Sequence, residues 1–180
     1  MESTLTTNNQ QLPYRQAEKY LNAVTKFGKN LSDNEPFMVL AATLAALRGV
    51  YIVHQSHHWQ VQGTSFFADH LLYQRLYEET LPEIDSLAEK LVGVDGPKGT
   101  NMFLQHKMTE EWLKMTTTSS PTTPLHANGL QTELAFLALV NLCMATLKDN
   151  NLLSFGLEQT LGDLALTHES HTYLLQQRQH

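Results

Sequence analysis

From Ser65 to Val92 the chain has no glycine and one proline, Pro82, and its apolar residues recur with the period of a helix. This stretch reads as one long helix with a bend at the proline. A helix of that length needs partners for its apolar stripe, and the rest of the sequence supplies them. Asp33 followed by Pro36 is a helix-start signal, and the run from there extends to about Gln62, where Gly63-Thr64-Ser65 breaks it and caps the next helix. The turn-rich Asp95-Gly96-Pro97 ends the second run. Residues 102–115 fit a short connecting helix, residues 116–124 are rich in breakers, and residues 125–148 and 152–177 give a third and a fourth long helix. Residues 1–12 are polar and read as a flexible tail, residues 13–26 read as a short helix, and the folded domain is expected over residues 13–180. There is no internal repeat and no strand alternation. The expected fold class is all-α.

Histidines and carboxylates gather on two of these helices. His54, His57 and His58 lie within five residues, His70 follows, and Asp85 and Glu89 stand one turn apart. Such a mixture of imidazole and carboxylate suits iron or zinc. Residues four apart share a helix face, so His54 pairs with His58 and Asp85 with Glu89, while His57 lies roughly 100° around from His58. On a continuous helix His70 and Asp85 stand about 22 Å apart, too far to hold one metal in one subunit. An isologous dimer with antiparallel copies of this helix would bring His70 of one chain to Asp85 and Glu89 of the other. A bland reading exists for each feature. A lone histidine is commonly a core or surface residue, and Asp85 with Glu89 alone fits a solvated acidic turn. His106, His126 and His180 read as that kind of histidine.

The run His58-Trp59-Gln60-Val61-Gln62-Gly63, with His70 twelve residues after His58 and then Asp85 and Glu89, resembles the signature of Dps proteins, the miniferritins. The resemblance covers about residues 36–177. It implies a ferritin-like four-helix bundle with a short helix between the second and third bundle helices. It further implies assembly as a homododecamer, and a ferroxidase centre at the dimer interface whose catalytic and metal-binding residues here are His58, His70, Asp85 and Glu89. The implied activity is oxidation of Fe(II) to Fe(III) by hydrogen peroxide or oxygen, serving iron detoxification, iron storage and protection against oxidative stress.

Two departures modify that expectation. Where the family usually has an acid four residues after His70, this chain has Gln74, a weaker ligand, and His54 stands where the family usually has an apolar residue. The pattern is similar to the histidine-type ferroxidase centre of some atypical cyanobacterial Dps proteins, in which a last-helix histidine takes part. His54 and, of the pair His168 and His171 on the last helix, His168 are therefore expected as additional ligands. Exchanging carboxylate for imidazole weakens retention of Fe(III) and favours zinc, which binds above Fe(II) in the general order and has no redox chemistry. Zinc is thus the expected competing ion, and a non-catalytic zinc-binding or metal-storage helical assembly is the alternative.

Charge bears on partners. Twelve basic against eighteen acidic residues give a formal charge of −6, and duplex DNA is held mainly through cationic contacts to phosphate. With no lysine before Lys19, DNA binding is not expected. No apolar run is expected to span a membrane, the N-terminus lacks a basic and apolar leader pattern, and the lone Cys143 cannot form an intrachain disulfide. A cytoplasmic location fits these features best.

Overall fold

The structure, a computed structural model, describes residues 3–28, 35–117 and 123–178. Its elements are α1 (Ser3–Gly28), α2 (Glu35–Gln60), α3 (Phe66–Asp95), a 3-10 turn (Pro97–Thr100), α4 (Met102–Thr116), α5 (Leu125–Asp149) and α6 (Phe155–Gln177). Of the five long helices, α2, α3, α5 and α6 form the bundle, and α4 bridges its second and third members. The described residues contain no strand.

The core is built around α2. From Met38 to Leu47 every residue of this helix is buried, because α3, α4 and α5 pack on different sides of it. The two helices outside the bundle are tied to the same backbone. Tyr20 of α1 donates to the Ala42 carbonyl at 3.0 Å, and Gln105 and Thr109 of α4 donate to the carbonyls of Ala41 and Ala45, both at 3.0 Å. Gly49 makes close approach possible: a Cβ there would lie 2.3 Å from Cδ1 of Trp112, whose ring meets Tyr20 and Phe136 edge-on.

Several expectations change. Helical backbone begins at Ser3, so it runs through most of the segment expected as a tail, although among the described side chains burial starts only at Ala17. Polar composition removes burial from this stretch, but with no glycine or proline before Pro13 nothing interrupts the helix. Ser65 stands at the N-cap of α3 without a side-chain bond to it; the turn is closed by the Phe66 N–H donating to the Gly63 carbonyl at 3.1 Å, with Gly63 at a positive φ of 86°. Pro82 lies inside α3 without ending it. The Asp33 cap lies outside the described residues, as does much of the breaker-rich segment.

The membrane expectation needs correction. Pro36–Gln60 and Leu125–Asp149 are both long and apolar enough to cross a membrane by length and composition. The physical reason is their central position: most of the first and half of the second are buried within the bundle, and a helix covered on several sides is apolar nearly all round.

Candidate metal centres

The turn between α2 and α3 brings His58 and His70 together. Nδ1 of His58 lies 2.9 Å from the His70 carbonyl oxygen, and Nδ1 of His70 lies 3.0 Å from the His58 carbonyl oxygen. A carbonyl can only accept, so both Nδ1 atoms donate, which leaves each Nε2 as the nitrogen able to offer a lone pair to a metal. The rings stack at 3.7 Å between centroids, and Phe66 lies near-parallel to His70 at 5.1 Å. Among the described residues neither Nε2 has a hydrogen-bond partner. Two half-buried imidazoles are thus oriented by backbone carbonyls, the usual arrangement behind a metal-ligating histidine.

Asp85 and Glu89 are exposed, one turn apart on α3. Because α3 is continuous, they stand about 22 Å along it from His70, and one chain does not unite the four residues. Gln74 donates to Glu78 at 2.8 Å.

His54 and His168 go elsewhere. His54, expected on one face with His58, is fully buried in the bundle, where its Nε2 lies 2.6 Å from Oε1 of Glu133. Oε1 also accepts from Nδ1 of His171 at 3.1 Å, and Oε2 accepts from Nδ1 of His168 at 2.6 Å. The outer nitrogens of these rings meet α3: His168 Nε2 lies 3.2 Å from Oε2 of Glu83 and His171 Nε2 lies 3.0 Å from Oε2 of Glu79. The result is a continuous chain, Glu79–His171–Glu133–His168–Glu83, with His54 attached at its centre. Ligand atoms of Glu133, His168 and His171 all lie within 4.8 Å of one another, so these residues could hold a metal ion. His168, favoured from the sequence over His171, shares the site equally with it.

Burial works against ionisation of Glu133, but the charge and hydrogen bond of His168, with the bonds from His171 and His54, hold it well below the usual carboxylate range. Burial likewise disfavours the His168 cation, and Glu133 and Glu83 overcome this, raising it to about 9. In His54 burial prevails over Glu133, and the ring is held below its usual value. Its Nδ1 is buried and has no hydrogen-bond partner among the described residues. His57 serves another purpose: it contacts Oδ1 of Asn128 at 3.1 Å, and burial pushes it down to about 4.

Sequence reasoning missed Glu133 and Glu83, and considered Glu79 only, with Glu78, as a place where mineral could nucleate. A signal for Glu133 was present, since it is the one acid of α5 before the terminal Asp149 and is followed by the apolar run Leu134–Val140, and a charge buried in such a helix must find a partner.

Solved structures with this architecture decide the fold. Dps from Thermosynechococcus elongatus superposes with a TM-score of 0.67 at 19% identity, covering 88% of this chain and 95% of that one. This is a Dps-like ferritin fold. A Dps protein of Vibrio cholerae O1, described as a member of a broad superfamily of ferritin-like diiron-carboxylate proteins, gives 0.62 at 16% identity over 93% of this chain and 92% of that one. In sequence, DNA protection during starvation protein 1 of Deinococcus radiodurans is 32% identical over 68 residues, 36% of this chain and 33% of that protein. The chain matches about a third of the length of the curated relatives it resembles. No family model matches. The resemblance to Dps proteins therefore rests on local sequence and on the whole fold together.

Proposed function

We propose that this Dps-like chain oxidises Fe(II) to Fe(III), with hydrogen peroxide or oxygen as acceptor, at a centre shared between two subunits of a homododecamer. Iron is the substrate, and the role is iron storage and protection of the cell interior from oxidative stress. The observation that carries this reading is the His58–His70 pair: two half-buried imidazoles fixed by backbone carbonyls, each with Nε2 uncommitted among the described residues. Asp85 and Glu89 would complete the centre from the partner chain, as a continuous α3 and a two-fold axis require. Exposed Trp59, Phe66, Phe67 and Leu71 near the histidine pair are the kind of apolar surface that a second copy covers.

The division of labour follows from ligand chemistry. Neutral imidazole holds Fe(II), and the carboxylates favour the higher charge of the product. With two imidazoles on one side and Gln74 in place of an acid, the centre should prefer zinc over Fe(II), so zinc acts as a competing ion. DNA binding is not part of the proposal, because the formal charge of −6 opposes it.

The test is anaerobic loading of metal-free protein with Fe(II), followed by peroxide or oxygen, with oxidation followed by absorbance. Oxidation well above buffer, lost in His70→Ala and in Asp85→Ala and suppressed by stoichiometric zinc, supports the reading. No oxidation above buffer in zinc-free, assembled protein would leave the non-catalytic metal-binding alternative.

A further inference from the structure

The buried chain of imidazoles and carboxylates has no residue in common with the His58–His70 pair, and its five central members come from three helices. Glu133 is supplied by α5, His168 and His171 by α6, and Glu79 and Glu83 by α3. His54 joins them from α2, so all four bundle helices contribute to the cluster. We propose that this cluster is a second metal site, contained within one subunit, that takes one first-row divalent cation such as Fe(II), Co(II), Mn(II) or Zn(II).

Three observations carry the inference. The first is ligand chemistry and spacing. Imidazole and carboxylate are the donor types such ions choose, and those of Glu133, His168 and His171 already lie within 4.8 Å of one another, all fully buried.

The second is charge. A carboxylate accepts, so His168 and His171, each with both nitrogens against carboxylate oxygens, donate from both. The two Nδ1 protons directed at Glu133 are the ones that a bound ion would displace. A divalent cation carries the same charge as the two protons it would displace, so loading leaves the buried charge unchanged. Burying a new, unmatched charge would be prohibitive; this exchange avoids it. The unpartnered Nδ1 of His54 adds a spare nitrogen lone pair to the same core.

The third is access. A groove of about 950 Å³ between α3 and α6 is lined by Glu78, Glu79, Glu83, Thr167 and Ser170, with Arg75 paired to Glu79 at 2.8 Å on its wall. Glu79 and Glu83 thus face the groove and contact the inner histidines, giving a cation a carboxylate-lined route into an otherwise closed core.

The inference stands independently of the intersubunit centre, and its test removes that centre first. In a His58→Ala/Asp85→Ala background, the metal-free protein is titrated anaerobically with Co(II), with visible absorption and equilibrium dialysis as readouts. One Co(II) per subunit is expected, with the d–d absorption of a nitrogen- and oxygen-ligated ion. Adding His171→Gln should weaken binding at least tenfold. Because that residue is buried, Glu79→Gln/Glu83→Gln provides a second variant at part-exposed positions, where folding is retained, and it should weaken binding as well. Absence of stoichiometric binding in the folded background variant overturns the proposal, as does binding unaffected by both sets of core substitutions. Iron oxidation by the wild-type chain is measured separately, so failure here leaves the proposed ferroxidase function untouched.

Discussion

Glu133→Gln is the most informative single perturbation of the bundle. The carboxylate accepts from three imidazoles at 2.6, 2.6 and 3.1 Å, and the amide that replaces it has one oxygen and a donor group turned on rings that also donate. The size of the loss can be worked from His168, which stands at about 9 against an ordinary 6.5 even though burial opposes its charge. At about 1.4 kcal/mol per pH unit, that difference corresponds to about 3 kcal/mol of stabilisation at neutral pH. Breaking a buried ion pair by removing one partner typically costs about 3 to 5 kcal/mol, so the two routes agree. The sign with pH follows: a histidine raised in the folded state stabilises fully below 6.5, and that stability is lost as pH rises through about 9. Urea unfolding of metal-free protein, monitored by circular dichroism at fixed subunit concentration, should therefore show a loss of about 3 kcal/mol or more at pH 7. The wild-type decline between pH 7 and 9 should be much reduced in the variant. A loss under about 1 kcal/mol with the alkaline decline intact would refute a charged, carboxylate-centred core.

Other outcomes follow from the same structure. Gly49→Ala forces a Cβ to within 2.3 Å of Trp112 Cδ1 in a ring cage closed by Tyr20 and Phe136, so a loss of about 1 to 3 kcal/mol is expected in the same unfolding assay. His57 is depressed from 6.5 to about 4 by burial, so its contribution is complete above 6.5 and is lost as pH falls toward 4. That loss amounts to about 3 kcal/mol. His57→Gln, which keeps a donor for Asn128, should flatten the unfolding midpoint between pH 6.5 and 4, and an unchanged acid slope would count against it. In competition dialysis zinc should displace Fe(II) from the interface centre, which is checked by metal content.

The architecture was largely legible because its signals are local. Helix period, Gly63, and the Asp95-Gly96-Pro97 turn lie in the sequence itself, and the described helices end close to where they indicate. His58 and His70 were linked only through the family resemblance, and they meet because a tight turn joins two neighbouring helices. His54 was misplaced for a definite reason. Spacing of four puts it on a face with His58, but α2 is covered on several sides, so one turn separates a ring bonded to Glu133 from a ring stacked on His70. Helical spacing gives direction around an axis; it does not say which neighbour lies in that direction. Glu133 and His171 are 38 positions apart, and Glu79 and His171 are 92 apart. Only tertiary packing unites them.

The proposal of a ferroxidase centre shared between subunits can be tested by complementation. One chain carries His58→Ala/His70→Ala and the other Asp85→Ala/Glu89→Ala, and the two are co-assembled in equal amounts. In an isologous mixed dimer one site loses all its ligands and the other keeps all of them. Random pairing makes half the dimers mixed, so iron oxidation should recover to roughly one quarter of wild type, although each parent alone is inactive. Recovery at that level supports a centre built from two chains; no recovery in confirmed mixed assemblies contradicts it.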